Sequence, residues 1–248
     1  MGAYRFMHND RVKLSDLRDE LLLGCGARGL GHVLVLQDTS QYTFQSGEGR
    51  FKEDDEHIGV LADNRTLGIH AHTALAFDAQ QGHPIGFSDL HLYSLPLNRA
   101  TKHDRCYKEQ PIEEKHSYRW ISTVQNSAKS LEHAEQITVI ADREADIYQM
   151  LATGYDDRIE LLIRSNHNRR LRQGIKLHAF LDELPWEGNK RIKLSGNRKR
   201  KERVAKLRLR WSEVELKKSP RVVEQATEYP DFLKIHVIEI KEFDSPAN

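Results

Sequence analysis

Cysteine is scarce in this chain, and the scarcity excludes a disulfide scaffold: Cys25 and Cys106 are the only two. Neither belongs to a C-x-x-C pair, so both read as buried or incidental thiols. Long apolar runs are lacking as well. Val33-Leu34-Val35-Leu36 is typical of the longest, far below the roughly 18 residues that cross a bilayer. The opening MGAYRFMHND is polar and has no signal-peptide apolar region, which leads us to expect a soluble, cytoplasmic protein with no membrane partner. Gly24, Gly26, Gly29 and Gly31 lack phosphate-loop spacing, and no Lys-Ser/Thr follows them. There is no internal repeat, and a large net charge is missing too, the total being +1.

What is present suffices for a folded protein. The 248 residues imply one to two domains of the usual size, roughly 150 residues each. Apolar types at 38 % and charged types at 30 % argue against wholesale disorder. The near-zero net charge hides an asymmetry. From Arg164 to Lys218 there are 18 Lys and Arg against 6 Asp and Glu, a local net charge of +12, which leaves the remainder acidic. A basic block on a nearly neutral chain suggests nucleic acid, because clustered cations release the counterions held by phosphates.

The patterning predicts a mixed sheet. His32–Asp38 is a short apolar run ending in an acid, a buried-strand signal. Thr66–Phe77 and Pro84–Tyr93 alternate in part, with Ala79–His83 as the turn between them. Gln41–Asn64 reads as a loop. Ile112–Leu131 carries a sparse helical stripe, Gln136–Asp142 is a second buried strand ending in an acid, Arg143–Leu151 has helical spacing, and Arg158–Arg164 returns to strand. Three strands, helix, strand, helix, strand imply a mixed sheet covered by helices. Beyond Ser165 the chain is strand-rich and basic. In Val204–Leu216, apolar Leu207, Leu209 and Trp211 alternate with Lys206, Arg208 and Arg210, which predicts a half-buried strand with a basic outer face and Trp211 in the core. Phe232–Ile240 reads as one more strand.

Asp38 and Asp142 each close an apolar strand, 104 residues apart. In neighbouring strands they would stand side by side at the sheet edge. Paired carboxylates repel unless cations lie between them, and hard oxygen ligands select Mg²⁺ or Mn²⁺. Two such ions can activate an attacking oxygen and stabilise the leaving oxygen of a phosphodiester. On spacing alone a second reading stands beside this one: Asp38 caps a turn before Thr39-Ser40, and Asp142 caps the following helix.

Residues Ala141–Tyr148, ADREADIY, closely resemble the stretch around the second catalytic aspartate of bacterial insertion-sequence transposases of the DDE class, the hairpin-forming cut-and-paste branch with a Y-R-E-K signature. In the same order, further segments resemble that family: Tyr4-Arg5-Phe6, Leu36–Ser40, Leu67–His70 through Leu75–Phe77, Pro84–Gly86, Glu114–Trp120 and Ile163–His167. The resemblance implies an α/β fold, an RNase H-like mixed β-sheet core flanked by helices with a β-rich basic insertion. It implies catalytic, metal-holding aspartates at Asp38 and Asp142, two Mg²⁺ or Mn²⁺ ions, and cleavage and strand transfer at transposon ends. The partners implied are double-stranded DNA and a second copy or a full-length transposase. The expected organisation is a remnant of an N-terminal DNA-binding region over 1–30, an incomplete core over 31–165 and a truncated insertion over 166–248.

The family's third carboxylate lies on a helix after the insertion, and no such segment is found here. Glu239, Glu242 and Asp244 lack the Tyr, Arg and Lys spacing of the signature. The expectation is therefore an inactive or very weak fragment, and the competing one is a non-catalytic DNA-binding or inhibitory protein. DNA-contact candidates are Arg164, His167, Arg169, Arg170, Arg172, Lys199, Arg200, Lys201, Arg203, Arg208 and Arg210. Glu144 reads as a favourable first-turn acid near the site. Lys115 and Arg119 read as a solvated i, i+4 pair or a phosphate contact, and His70 and His72 as packing residues with no third ligand near in sequence.

Overall fold

The aliphatic run Val33–Leu36, buried at alternate positions, forms the centre of β1 (Gly31–Thr43), the middle strand of the computed structural model, which describes residues 2–44, 58–61, 63, 66–96, 110–198, 201–220, 222 and 229–243. β1 is longer than its apolar run predicts because the antiparallel partner β3 (Leu67–Asp78) pairs with it as far as Thr43. A two-residue strand, β2 (Gly59–Val60), and β4 (Pro84–Tyr93) pair with the other edge of β3. On its far side β1 pairs in parallel with β5 (Ala134–Ala141), and β5 in parallel with β6 (Ile159–Ile163). An antiparallel meander extended by two parallel strands is the order of an RNase H-like core, a mixed sheet flanked by helices.

The chain divides into two compact units, with the boundary between Asn166 and His167. In the first unit one sheet face is covered. Val33 and Val35 of β1, Ala74 and Ala76 of β3, and Ile137 and Val139 of β5 meet Trp120, Ile121 and Val124 of α3 (Tyr118–Ser130), all almost fully buried. The stripe predicted from residue 112 is broken at its start, where Ile112–Glu114 forms a separate 3-10 turn after Pro111. Arg158 closes the other end of α3 by donating to the carbonyls of Leu131, Glu132 and Ala134. α1 (Gly2–Met7) and α2 (Leu14–Gly26) precede the sheet. α2 carries no strong apolar stripe, and it is held through its last turn: Arg28 donates to the Ile85 carbonyl at 2.8 Å and Cys25 is fully buried. A Cβ on Gly86 would lie 3.2 Å from the Cys25 Cβ, so this close packing requires glycine there. Burial pushes the Cys25 thiol up to about 11, which makes it inert. After β5 come a 3-10 turn, Arg143–Ala145, and α4 (Tyr148–Ala152).

The second unit holds α5 (Leu177–Asp182) and an antiparallel sheet β7–β8–β9, formed by Gly188–Leu194, Arg203–Lys217 and Phe232–Phe243. Along β8 the sequence reading holds at the start, where Ala205 is buried and Lys206 exposed, and is reversed at Arg210 and Trp211. Arg210 is the buried member, while Trp211 is 47 % exposed on the face shared with Ile238 and Ile240. The reason is Trp186, whose ring lies under both guanidinium groups, 4.2 Å from Arg208 and 4.3 Å from Arg210.

Beneath the first sheet runs a buried polar layer. Thr123 donates to Asp89 and Ser88 to Ser127, each across from α3 to β4. His72 of β3 is fully buried, meets Trp120 edge-on at 4.6 Å, and has its Nδ1 2.8 Å from the Thr39 hydroxyl. Burial, with the nearby Arg119 and His91 charges, lowers its pKa from 6.5 to about 3. The unfolded chain therefore takes up this proton near pH 6.5 and the folded chain only near pH 3. The stability tied to a neutral His72 is complete above pH 6.5 and is lost as the pH falls through that window, by at most about 1.4 kcal/mol per unit. Chemical denaturation between pH 7 and 4.5 should show this slope, and His72→Gln should flatten it.

Candidate functional site

The β1–β5–β6 register ends with Gln37, Ala141 and Ile163 side by side. One residue further on stand Asp38, Asp142 and Arg164, and the amide of Arg164 still donates to the Ala141 carbonyl at 3.1 Å. Asp142 keeps an extended backbone (φ −77°, ψ −175°), so strand alternation carries through it. Leu36 pairs with Ile140 two residues earlier, which puts Asp38 and Asp142 on that same sheet face. Neighbouring strands lie about 4.8 Å apart, so the two carboxylates rise from adjacent points at the carboxyl ends of parallel strands. Both are exposed.

Each carboxylate has one oxygen engaged locally. The Thr39 amide donates to Asp38 Oδ1, and the Glu144 amide to Asp142 Oδ1, both at 2.8 Å. The capping geometry and the paired-carboxylate geometry therefore coexist, and a second oxygen on each side chain remains to face an ion. Among the described residues, no group of three or more His, Cys, Asp or Glu is assembled that could hold a metal. The donors present are hard carboxylate oxygens, which fit Mg²⁺ or Mn²⁺ in chemistry and fill only part of its octahedral shell.

Below the pair lies a cation that sequence reading placed on the surface. The Arg119 side chain is only 17 % exposed. Its Nε donates to the Thr39 hydroxyl at 3.2 Å, and its terminal nitrogens reach Glu144 at 3.1 Å and the His116 carbonyl at 2.8 Å. Arg119 thus ties the residue after Asp38 to the residue two beyond Asp142. The network is satisfied when the Thr39 hydroxyl accepts from Arg119 and donates to His72 Nδ1. Gln37, directly before Asp38, is buried with neither amide atom hydrogen-bonded. No sequence signal marks Arg119 or Thr39 for this role, because 80 residues separate them.

The open face beside the aspartates is apolar. Phe87, Leu75, Leu36, Ile140 and Leu162 occupy one row across five of the six strands, with Leu36 40 % and Leu162 54 % exposed.

The candidate DNA contacts differ in what they have free. Arg164, Arg170 and Lys201 are exposed and have no acidic partner among the described residues. His167 is exposed and Arg169 half-buried. Arg172 is paired with Glu215 at 2.7 Å, Arg203 with Glu242, and Arg210 with Asp182 and Glu239. Arg208 lies over Trp186. Lys199, Arg200 and Asp244 fall outside the described residues. The neighbouring carboxylate raises the pKa of Arg203, and Arg203 in turn lowers that of Glu242. Arg172, Lys193, Arg203, Arg210 and Lys218 of the basic block are thus already held in local ion pairs.

No protein-family model matches the chain, and no curated protein sequence does. Among solved structures, the piggyBac transposase in its synaptic complex with hairpin DNA is similar to it, with a TM-score of 0.38 and 11 % sequence identity. The match covers 100 % of this chain and 40 % of that one, so the chain spans well under two thirds of its length. Among the described residues no helix is long and apolar enough to cross a membrane.

Removing Arg119 should cost more than its salt bridge alone, since Glu144 is 65 % exposed. Urea denaturation should show Arg119→Ala and Arg119→Lys both destabilised by about 1–3 kcal/mol, as for lost hydrogen bonds to a charged group. Glu144→Gln should lose less than about 1 kcal/mol. Equal losses in all three would remove the case for a strut.

Proposed function

We propose that the first unit carries a DNA phosphodiester site of the DDE transposase type, and that the basic surface of the second unit holds double-stranded DNA. The observation that carries the reading is the placement of Asp38 and Asp142 on one face of adjacent parallel strands, at the same end. Asp38 and Asp142 would hold the ions, each presenting the oxygen that its backbone contact leaves over. When bound, Mg²⁺ or Mn²⁺ supplies Lewis-acid activation of water or a 3′-hydroxyl and neutralises charge on the leaving oxygen. Arg119 holds the two bearing segments in register, and Arg164, next in the row, offers a phosphate contact beside them. The finer reading is cleavage and strand transfer at the ends of a bacterial insertion sequence, with a second copy or a full-length transposase as protein partner. Because the described residues bring only two acids together, this polypeptide by itself is expected to bind metal weakly and to cut DNA little or not at all.

Manganese binding tests the pair directly. Titration of Mn²⁺ followed by electron paramagnetic resonance should show binding to the unaltered chain and its loss in Asp38→Asn and in Asp142→Asn, with thermal unfolding retained in both. Binding unchanged in both variants would sink the proposal.

A non-catalytic DNA-binding role is the second reading, favoured by the exposed cations that no acid among the described residues neutralises. Duplex affinity measured by fluorescence anisotropy should fall with salt. Replacing Arg164, Arg170 or Lys201 by Ala should each reduce the slope of log K against log[salt] by about 1. The Asp38→Asn and Asp142→Asn changes should leave duplex affinity intact if this role stands alone.

A further inference from the structure

A groove of about 320 Å³ opens on the first unit between α2, β4 and the start of α3, apart from the carboxylate pair. Its lining combines two chemistries. Arg18 of α2, ion-paired with Asp19 at 3.4 Å, and Lys115 and Arg119 around the start of α3 bring positive charge from two segments. His91, Tyr93 and His116 bring rings in near-parallel arrangement: Tyr93 lies 5.2 Å from His91 at 20° and 6.3 Å from His116 at 27°. Behind them Tyr93 stacks on buried His70 at 4.8 Å and 9°, which fixes the plane of the array. His91 and His116 are exposed, so the array opens toward solvent at the groove. Two acids also line it. Asp89 is buried and accepts from Thr123 and Asn126, while Glu113 is exposed.

A ring array of fixed plane beside cationic side chains is the pairing by which proteins take single-stranded nucleic acid, with bases on the rings and phosphates on the cations. It suits a paired duplex poorly, since stacked bases offer no face. The register also relates the groove to the aspartates. Leu90 in the lining pairs with Thr73, which pairs with Asp38. Two strand spacings, about 10 Å, therefore separate Leu90 from Asp38 along the sheet.

We propose that this groove binds an unpaired nucleotide of single-stranded DNA, its base stacked on the outer, exposed rings of His91 and His116, which Tyr93 backs, and its phosphate on Lys115 and Arg18. The inference rests on the DNA reading above and adds a strand-separated segment on the α3 side of the sheet, the face opposite the two aspartates. No feature of the basic second unit enters it.

The test compares a blunt duplex with the same duplex carrying a short single-stranded extension that contains 2-aminopurine. The extended duplex should bind roughly tenfold tighter, the scale of one stacked base, and its 2-aminopurine fluorescence should be quenched. The exposed pair His91→Ala/His116→Ala should bring its affinity down to that of the blunt duplex and abolish the quench, and His116→Ala alone should do so in part. Equal binding of the two duplexes without quenching overturns the inference while leaving the DNA reading intact, as does a quench that survives both variants. Failure of either duplex to bind overturns both.

Discussion

Parallel pairing of β1 with β5 is the constraint on which the remaining structure depends. It joins strands separated by more than a hundred residues, and everything between them must close as a loop for the pair to form. The intervening chain supplies the compensation: β3 covers one side of β1, and α3 covers the face that Val33, Val35, Ile137 and Val139 share. Once the register is set, the positions of Asp38 and Asp142 follow from strand alternation. A slip of one residue would send one carboxylate to the buried face. The paired acids and the core are therefore consequences of the same hydrogen-bond ladder.

Arg119 reinforces that register at its costliest point. Two unlike chain segments, each ending in an aspartate, arrive where mutual repulsion would push them apart. A half-buried guanidinium with donors aimed at both Thr39 and Glu144 opposes this, and its planar fork suits the task better than a point charge would. Beneath it His72 stays neutral, so the layer adds no second positive charge to the cluster.

The basic second half shows how a charge count overstates what a partner meets. Arg172, Arg203, Arg210, Lys193, Lys218 and Lys234 each have a carboxylate within ion-pair distance. A side chain held by a neighbour costs more to redirect toward phosphate than one in water. The surface that attracts an anion is consequently smaller than the +12 block suggests, and Arg164, Arg170 and Lys201 stand out within it.

By itself the sequence determined five of the six strands of the first sheet, missing the two-residue β2 inside a segment it read as loop, together with the turn at Ala79–His83 and the two acids that end apolar runs. These are local signals: side-chain period, turn residues and a charge after an aliphatic run. Helix α2 escaped it, because that segment's apolar residues form no clear stripe and its burial comes from Cys25 and Arg28 meeting β4. The middle of β8, at Arg210 and Trp211, was reversed, since alternation reports that two faces differ but not which one a distant Trp186 will cover. Arg119 at a surface-like spacing, and the ring array that Tyr93 shares with His91 and His116, were decided only by tertiary structure. Which cation is paired and which rings meet depends on strand register and helix placement, and those are set by contacts between residues far apart in the chain.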